Sequence, residues 1–267
     1  MTDVKPLPTI PPYDETKAIS IKNLTFSYDA KTLPPTLRDL NLTLPRGSRC
    51  LLLGSNGSGK STLLRLISGR HLAKPEGCIT ILGLNASRDT RLNFHRSYLG
   101  CDGVHLTVDI PVTSMMEKLQ NSYPERRDEL MGILGINPEW RMHQLSDGQR
   151  RRVQLLMQLV RPFRILLLDD VTKSLDVCVR QDLLRWLERE SVDRGATIVY
   201  ATHIFDGLDE WASHLFYITN AGSFGWQGEM RELDIYQKLK AENHPAKMLA
   251  IADHFLRKEL EENRSQN

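Results

Sequence analysis

The stretch GSNGSGKST, from Gly54 to Thr62, follows the apolar run SRCLLLG and opens the helix-like KSTLLRLISG. No other segment restricts the fold as much. It fits the pattern G-x-x-x-x-G-K-[ST], which requires a buried strand, a glycine-rich loop and a helix in that order. Gly54, Gly57 and Gly59 free the backbone, so that the loop through Ser55, Asn56 and Ser58 can turn its amides towards phosphate oxygens. The helix that follows points its positive end at the same anion. Lys60 supplies a point charge for the β and γ phosphates. The Ser61 hydroxyl, followed by Thr62, is suited to ligating Mg²⁺. A second apolar run, ILLLD, ends at Asp169. An acid at the carboxyl edge of a buried strand lies where ligands bind in open α/β sheets. Asp169 is therefore expected to help hold the Mg²⁺ that accompanies the nucleotide.

The rest of the chain gives weaker bounds. Its 267 residues suit one large domain or two intimate lobes, and a net charge of +2 gives no pull towards nucleic acid or membrane. The scattered Cys50, Cys78, Cys101 and Cys178 form no zinc spacing and fit a reduced, intracellular setting. No apolar run approaches the roughly 18 residues that span a bilayer. The proline-rich segment 1–17 lacks a signal core and reads as an extended or disordered arm. AISIKNLTFSY and LRDLNLTL alternate as half-buried strands. CITILG and RSYLG read as further strands. VTSMMEKLQNSY, ERRDELMGILG and DGQRRRVQLLMQLV read as helices, which predicts a helical insertion over about 102–160. RILLLDD and ATIVYATH return to buried strands, and WASHLFYIT with GSFGWQG suggests an antiparallel pair. Residues 231–267 are expected to form a helical extension, with Met248, Ile251, Ala252, Phe255 and Leu256 on one docking face.

LSDGQRRRVQL, beginning at Leu145, resembles the LSGGQ signature of ABC ATPases. The phosphate loop, this signature, ILLLDD, SLD and ATH occur in the family's order, so residues 18–230 resemble an ABC ATP-binding domain. The resemblance implies an α/β fold of the ABC P-loop NTPase type: a RecA-like core, an antiparallel β subdomain and an α-helical insertion. It also implies ATP and Mg²⁺ as cofactors, and a head-to-tail homodimer. In that dimer Ser146, Gly148 and Gln149 of one copy would face the γ-phosphate held by the other. Tyr28 stands where the family stacks an aromatic on adenine, although a residue packed in the core would read the same way. His203 matches a histidine that contacts the γ-phosphate. Asp176 matches a loop at the dimer interface, and it would equally serve a helix N-terminus. The Arg150–Arg152 run belongs to the family's basic signature helix, so direct nucleic-acid contact is not expected.

SDGQRRRVQ, LLLDDVTKSLDV and YATHIFDGL resemble, within the family, soluble proteins associated with the fungal Ccr–Not complex of transcription and mRNA regulation, and their plant relatives. That implies a protein complex as partner and a cytoplasmic, also nuclear, location. Three positions depart from the family pattern. Asp170 replaces the catalytic Glu and is shorter by one C–C bond, about 1.5 Å. Such a displacement predicts slow hydrolysis. Asp147 replaces a glycine and brings a carboxylate near the γ-phosphate unless it turns to cap the helix. The glutamine that transporters use to relay nucleotide state is missing, with Cys101 or Asp102 in its place; Asp102 is a candidate Mg²⁺ ligand. Three functions stay open at this point: a soluble ATPase regulating a protein complex, the ATP-binding subunit of a membrane transporter, and an interaction protein that binds ATP without hydrolysing it.

Overall fold

The computed structural model describes residues 8–29, 34–100, 109–115 and 117–265. Strands β1 (Ile19–Phe26) and β2 (Leu37–Leu44) form an antiparallel pair. They are followed by β3 (Arg49–Leu53), α1 (Lys60–Ile67), β4 (Ile79–Ile81), β5 (Leu84–Asn85) and β6 (Arg96–Leu99). Helices α2 (Glu117–Ser122), α3 (Pro124–Leu134) and α4 (Asp147–Leu159) come next. The chain returns through β7 (Ile165–Asp169), α5 (Val177–Arg194) and β8 (Thr197–Ala201) to the hairpin β9 (His214–Ile218) and β10 (Phe224–Glu229), and ends in α6 (Asp234–Ala241) and α7 (Lys247–Ser265).

Two sheets result. One is four-stranded, in the order β2-β1-β4-β5, and wholly antiparallel. The other is six-stranded, in the order β10-β9-β3-β8-β7-β6. In it β9, β3, β8, β7 and β6 run parallel, and β10 closes the edge antiparallel to β9. The apolar runs that predicted central strands have this cause. Parallel strands covered on both faces bury every side chain, and Ile165–Asp169 and Thr197–Ala201 are buried throughout. Alternation divides them between two cores. Leu51, Leu53, Leu166 and Leu168 pack with α4 and α5, while Cys50, Leu52, Ile165 and Leu167 pack with α1 and the antiparallel sheet. The architecture is the α/β ATPase cassette expected from the sequence, antiparallel sheet and helical insertion included.

Two local features differ from expectation. VTSMMEKLQNSY is not one helix: a 3₁₀ turn at Val112–Ser114 precedes α2. The Gln120 side-chain amide donates to Val112 O at 3.0 Å and to Met115 O at 2.5 Å, satisfying carbonyls that a continuous helix would have bonded itself. The proline-rich arm, from residue 8 on, lies against the body. Ile10 and Tyr13 pack on the core beneath the antiparallel sheet, and Pro8 O accepts from His95 Nε2 at 2.7 Å. The C-terminal helix docks as its periodicity predicted: Met248, Ile251 and Ala252 are buried, and Phe255 stacks on Tyr217 at 4.8 Å.

A buried ion pair ties the helical insertion to the core. Arg126 of α3 donates to Glu190 of α5 at 2.7 Å, and both side chains are under a tenth exposed. The guanidinium also bonds Leu159 O and lies 4.6 Å above the Trp186 ring. Removing one partner of such a pair strands the other charge. Arg126→Ala is therefore expected to lower unfolding stability by about 3 kcal/mol in urea titrations. A loss under about 1 kcal/mol would mean that Arg194, 3.2 Å from Glu190, takes over the pairing.

Candidate functional site

Strand order brings the site together. β8 lies between β3 and β7, so the segments leaving all three emerge side by side at their carboxyl edge. β3 delivers the phosphate loop, β7 delivers Asp169 and Asp170, and β8 delivers His203. The loop's shape depends on its glycines. A side chain at Gly54 would lie 2.5 Å from Ile218 O, and one at Gly59 2.6 Å from Leu37 Cδ2. Gly59 adopts φ +100° and begins α1 without a side-chain cap, so the first-turn amides of α1 stay directed at the loop.

Lys60 is nearly buried, and its Nζ donates to Gly54 O at 2.7 Å and Ser55 O at 2.8 Å. Burial pushes its ammonium below the usual lysine range, and the carboxylates of Asp169 and Asp170 oppose that shift. Ser61 Oγ donates to Asp169 Oδ1 at 3.0 Å. Tyr98 OH contacts the other oxygen of Asp169 at 3.4 Å. Burial raises the Asp169 carboxyl, against the lowering pull of these two hydroxyls. A hydroxyl and a carboxylate side by side are oxygen donors suited to a hard cation such as Mg²⁺. Among the described residues no group of three or more His, Cys, Asp and Glu is placed to hold a metal ion.

Asp170 has a left-handed backbone, φ +50°, with its amide donating to Ala201 O at 2.8 Å. Asp tolerates this region better than most residues. Its Oδ1 is buried without a hydrogen-bond partner among the described residues. His203 lies within the electrostatic reach of Lys60, Asp170 and Asp169. Burial lowers its imidazole below the usual histidine value, Lys60 adds to that, and Asp170 opposes it. Tyr28 is not a core residue: its ring is 53% exposed, stands edge-on to Phe26 and His71, and bonds Thr62 Oγ1 at 3.0 Å. That leaves an aromatic face beside α1 and the phosphate loop.

Ser146 is the N-cap of α4, in a capping box with Gln149: Gln149 N donates to Ser146 Oγ at 3.3 Å and Ser146 N to Gln149 Oε1 at 3.0 Å. Gly148 lies against Ser174 O, where a side chain would come within 3.1 Å. Among the described residues none of these three bonds to the phosphate loop of its own chain. Asp147 does not cap the helix; its carboxylate is 91% exposed and pairs with Arg150 at 3.0 Å. Asp176 does cap a helix, accepting from Val179 N at 2.9 Å while pairing with Arg152 at 2.6 Å. Asp102 and Cys101 lie outside the described residues. Tyr98 and Asn220, which accepts from the Ser55 hydroxyl, belong to the site but carry no motif signal in the sequence.

Comparisons with known proteins show the family and the fold. Residues 37–173 match the family model described as ABC transporter. The chain is 44% identical over 253 residues to ABC transporter I family member 21 of Arabidopsis thaliana, covering 91% of this chain and 86% of that one. It is 41% identical over 219 residues to CCR4-associated factor 16 of Saccharomyces cerevisiae, covering 75% of each. Among solved structures it superposes on the dimeric post-hydrolysis state of the ATP-binding cassette MJ0796 bound to ADP and Pi, with a TM-score of 0.68 at 20% identity, covering 79% of this chain and 98% of that one; this likeness concerns the fold. The chain belongs to the ABC transporter family and has the fold of its ATP-binding cassette.

Proposed function

We propose that two copies of the chain close head to tail around two Mg-ATP molecules, hydrolyse them slowly, and use the closed state to regulate a protein complex. The observation that carries this reading is the gathering of Lys60, Ser61, Asp169, Asp170 and His203 at the edge of three adjacent strands. In this reading Tyr28 stacks on adenine, and residues 54–62 wrap the phosphates with backbone amides. Lys60 leaves its carbonyl partners for the β and γ phosphates. Ser61 and Asp169 would hold Mg²⁺, which neutralises phosphate charge when bound; Asp102 is a further candidate ligand. Asp170 orients the attacking water and takes its proton, and His203 donates to the γ-phosphate. Ser146, Gly148 and Gln149 of the second copy complete the site with the positive end of α4. Ser146's capping box supports that role, because it holds the first turn of α4 rigid while leaving it exposed.

The partner is proposed to be a Ccr–Not-like assembly, supported by the 41% identity to a protein named CCR4-associated factor 16. No helix among the described residues is long and apolar enough to cross a membrane. Steady-state turnover of the purified chain with Mg-ATP, without membranes or partner, tests the reading. Turnover below the usual range of roughly 1–10³ per second is expected, and Lys60→Ala should abolish it. ATP binding with no turnover would instead favour a binding protein that does not hydrolyse.

A further inference from the structure

The phosphate loop is tied to the C-terminal helix through a chain of hydrogen bonds that the ATPase motifs do not include. The Ser55 hydroxyl donates to Asn220 Oδ1, in the turn between β9 and β10. The backbone N–H of Asn220 donates in turn to Glu259 Oε1 of α7 at 2.5 Å. The other Glu259 oxygen accepts from Tyr217 OH at 2.6 Å. Glu259 is only 8% exposed, the sole acid among the buried residues of α7. An acid is not placed there for hydrophobic packing, and its two oxygens are both engaged. The same turn is pressed against the loop at Gly54, whose Cβ position lies 2.5 Å from Ile218 O. Ser55 also offers its carbonyl to Lys60, so its placement affects the residue that binds phosphate.

We propose that Glu259 and Asn220 are positioning residues for the phosphate loop, and that docking of α7 thereby raises the affinity for nucleotide. This rests on the reading of the loop as an ATP site. Glu259 holds the Asn220 amide, Asn220 fixes the Ser55 hydroxyl, and the loop loses alternative conformations before the ligand arrives. Coupling between sites is reciprocal. Bound nucleotide therefore holds α7 down, and a partner that lifts α7 weakens nucleotide binding.

The test measures Kd for a fluorescent ATP analogue with Mg²⁺, for the full chain and for Glu259→Ala, Ser55→Ala and the double variant. Each single change is expected to raise Kd about 5-fold, the effect of one charge-assisted or neutral hydrogen bond. The double variant should lose little more than either single, because both act through one chain of contacts. Glu259→Gln keeps an acceptor for the Asn220 amide and should recover most of the affinity. Amide exchange in α7 should slow when Mg-ATP is added. Wild-type affinity in Glu259→Ala, with only a lower melting temperature, overturns the proposal, as do losses that multiply independently. Should Glu259→Ala fail to fold, amide exchange of α7 in the unmodified chain decides: no slowing on addition of Mg-ATP overturns the proposal. If the unmodified chain does not bind the analogue, the ATP reading itself falls; if it binds and only the coupling is missing, that reading stands.

Discussion

Replacing Asp170 by Glu is expected to raise steady-state turnover by about 10- to 100-fold. Asp170 stands at the end of β7, next to Asp169 and within electrostatic reach of His203. Its carboxylate is one bond shorter than the Glu that ABC ATPases carry there, and a reacting group displaced by about 1 Å loses roughly two orders of magnitude in rate. The backbone suits the shorter residue. At φ +50°, Asp is among the few side chains that sit without much strain, whereas Glu is expected to lose about 1 kcal/mol of stability. The swap therefore separates two quantities: turnover rises while the melting temperature falls slightly. Unchanged or lower turnover, with Mg-ATP affinity intact, would mean that the left-handed turn already carries Asp170 to the distance catalysis needs.

What could be read in the sequence follows from how local each physical requirement is. The phosphate loop was legible because Gly54, Gly59 and Lys60 answer constraints set within a few residues. The runs at β3, β7 and β8 were legible because strands buried on both faces leave no polar alternation. Asp169 beside Ser61 was legible only jointly: the loop predicts a partner acid, and the strand end predicts its place. The unforeseen contacts join distant segments. Tyr98 meets Asp169 across 71 residues, and Asn220 meets Ser55 across 165. No pattern of local period announces them. The break before α2 was hidden for a different reason, since a single buried side chain, Gln120, supports it. The direction of Asp147 depended on which neighbour won its carboxylate, the helix amides or Arg150; Ser146 and Gln149 had already satisfied the cap.

The second large effect concerns association. In the proposed mechanism Asp170→Asn removes the proton acceptor without changing size, so ATP should persist and a closed pair should accumulate. Asp147 does not forbid closure. Its exposed carboxylate is drawn to Arg150 at 3.0 Å, which offsets the charge it would bring to a facing γ-phosphate, and solvent screens the remainder. The exposed N-terminus of α4, with Ser146 and Gln149 fixing its first turn, would then meet the phosphate held by the other copy's Lys60. Lys60→Ala in the same background should return the sample to single chains, because the proposed site then lacks the buried ammonium that would compensate phosphate charge. The decisive measurement is the solution mass of Asp170→Asn loaded with Mg-ATP, by sedimentation equilibrium. A mass twice that of one chain, dropping to one chain when nucleotide is removed, is the predicted result. A single-chain mass with nucleotide demonstrably bound contradicts the head-to-tail ATP sandwich.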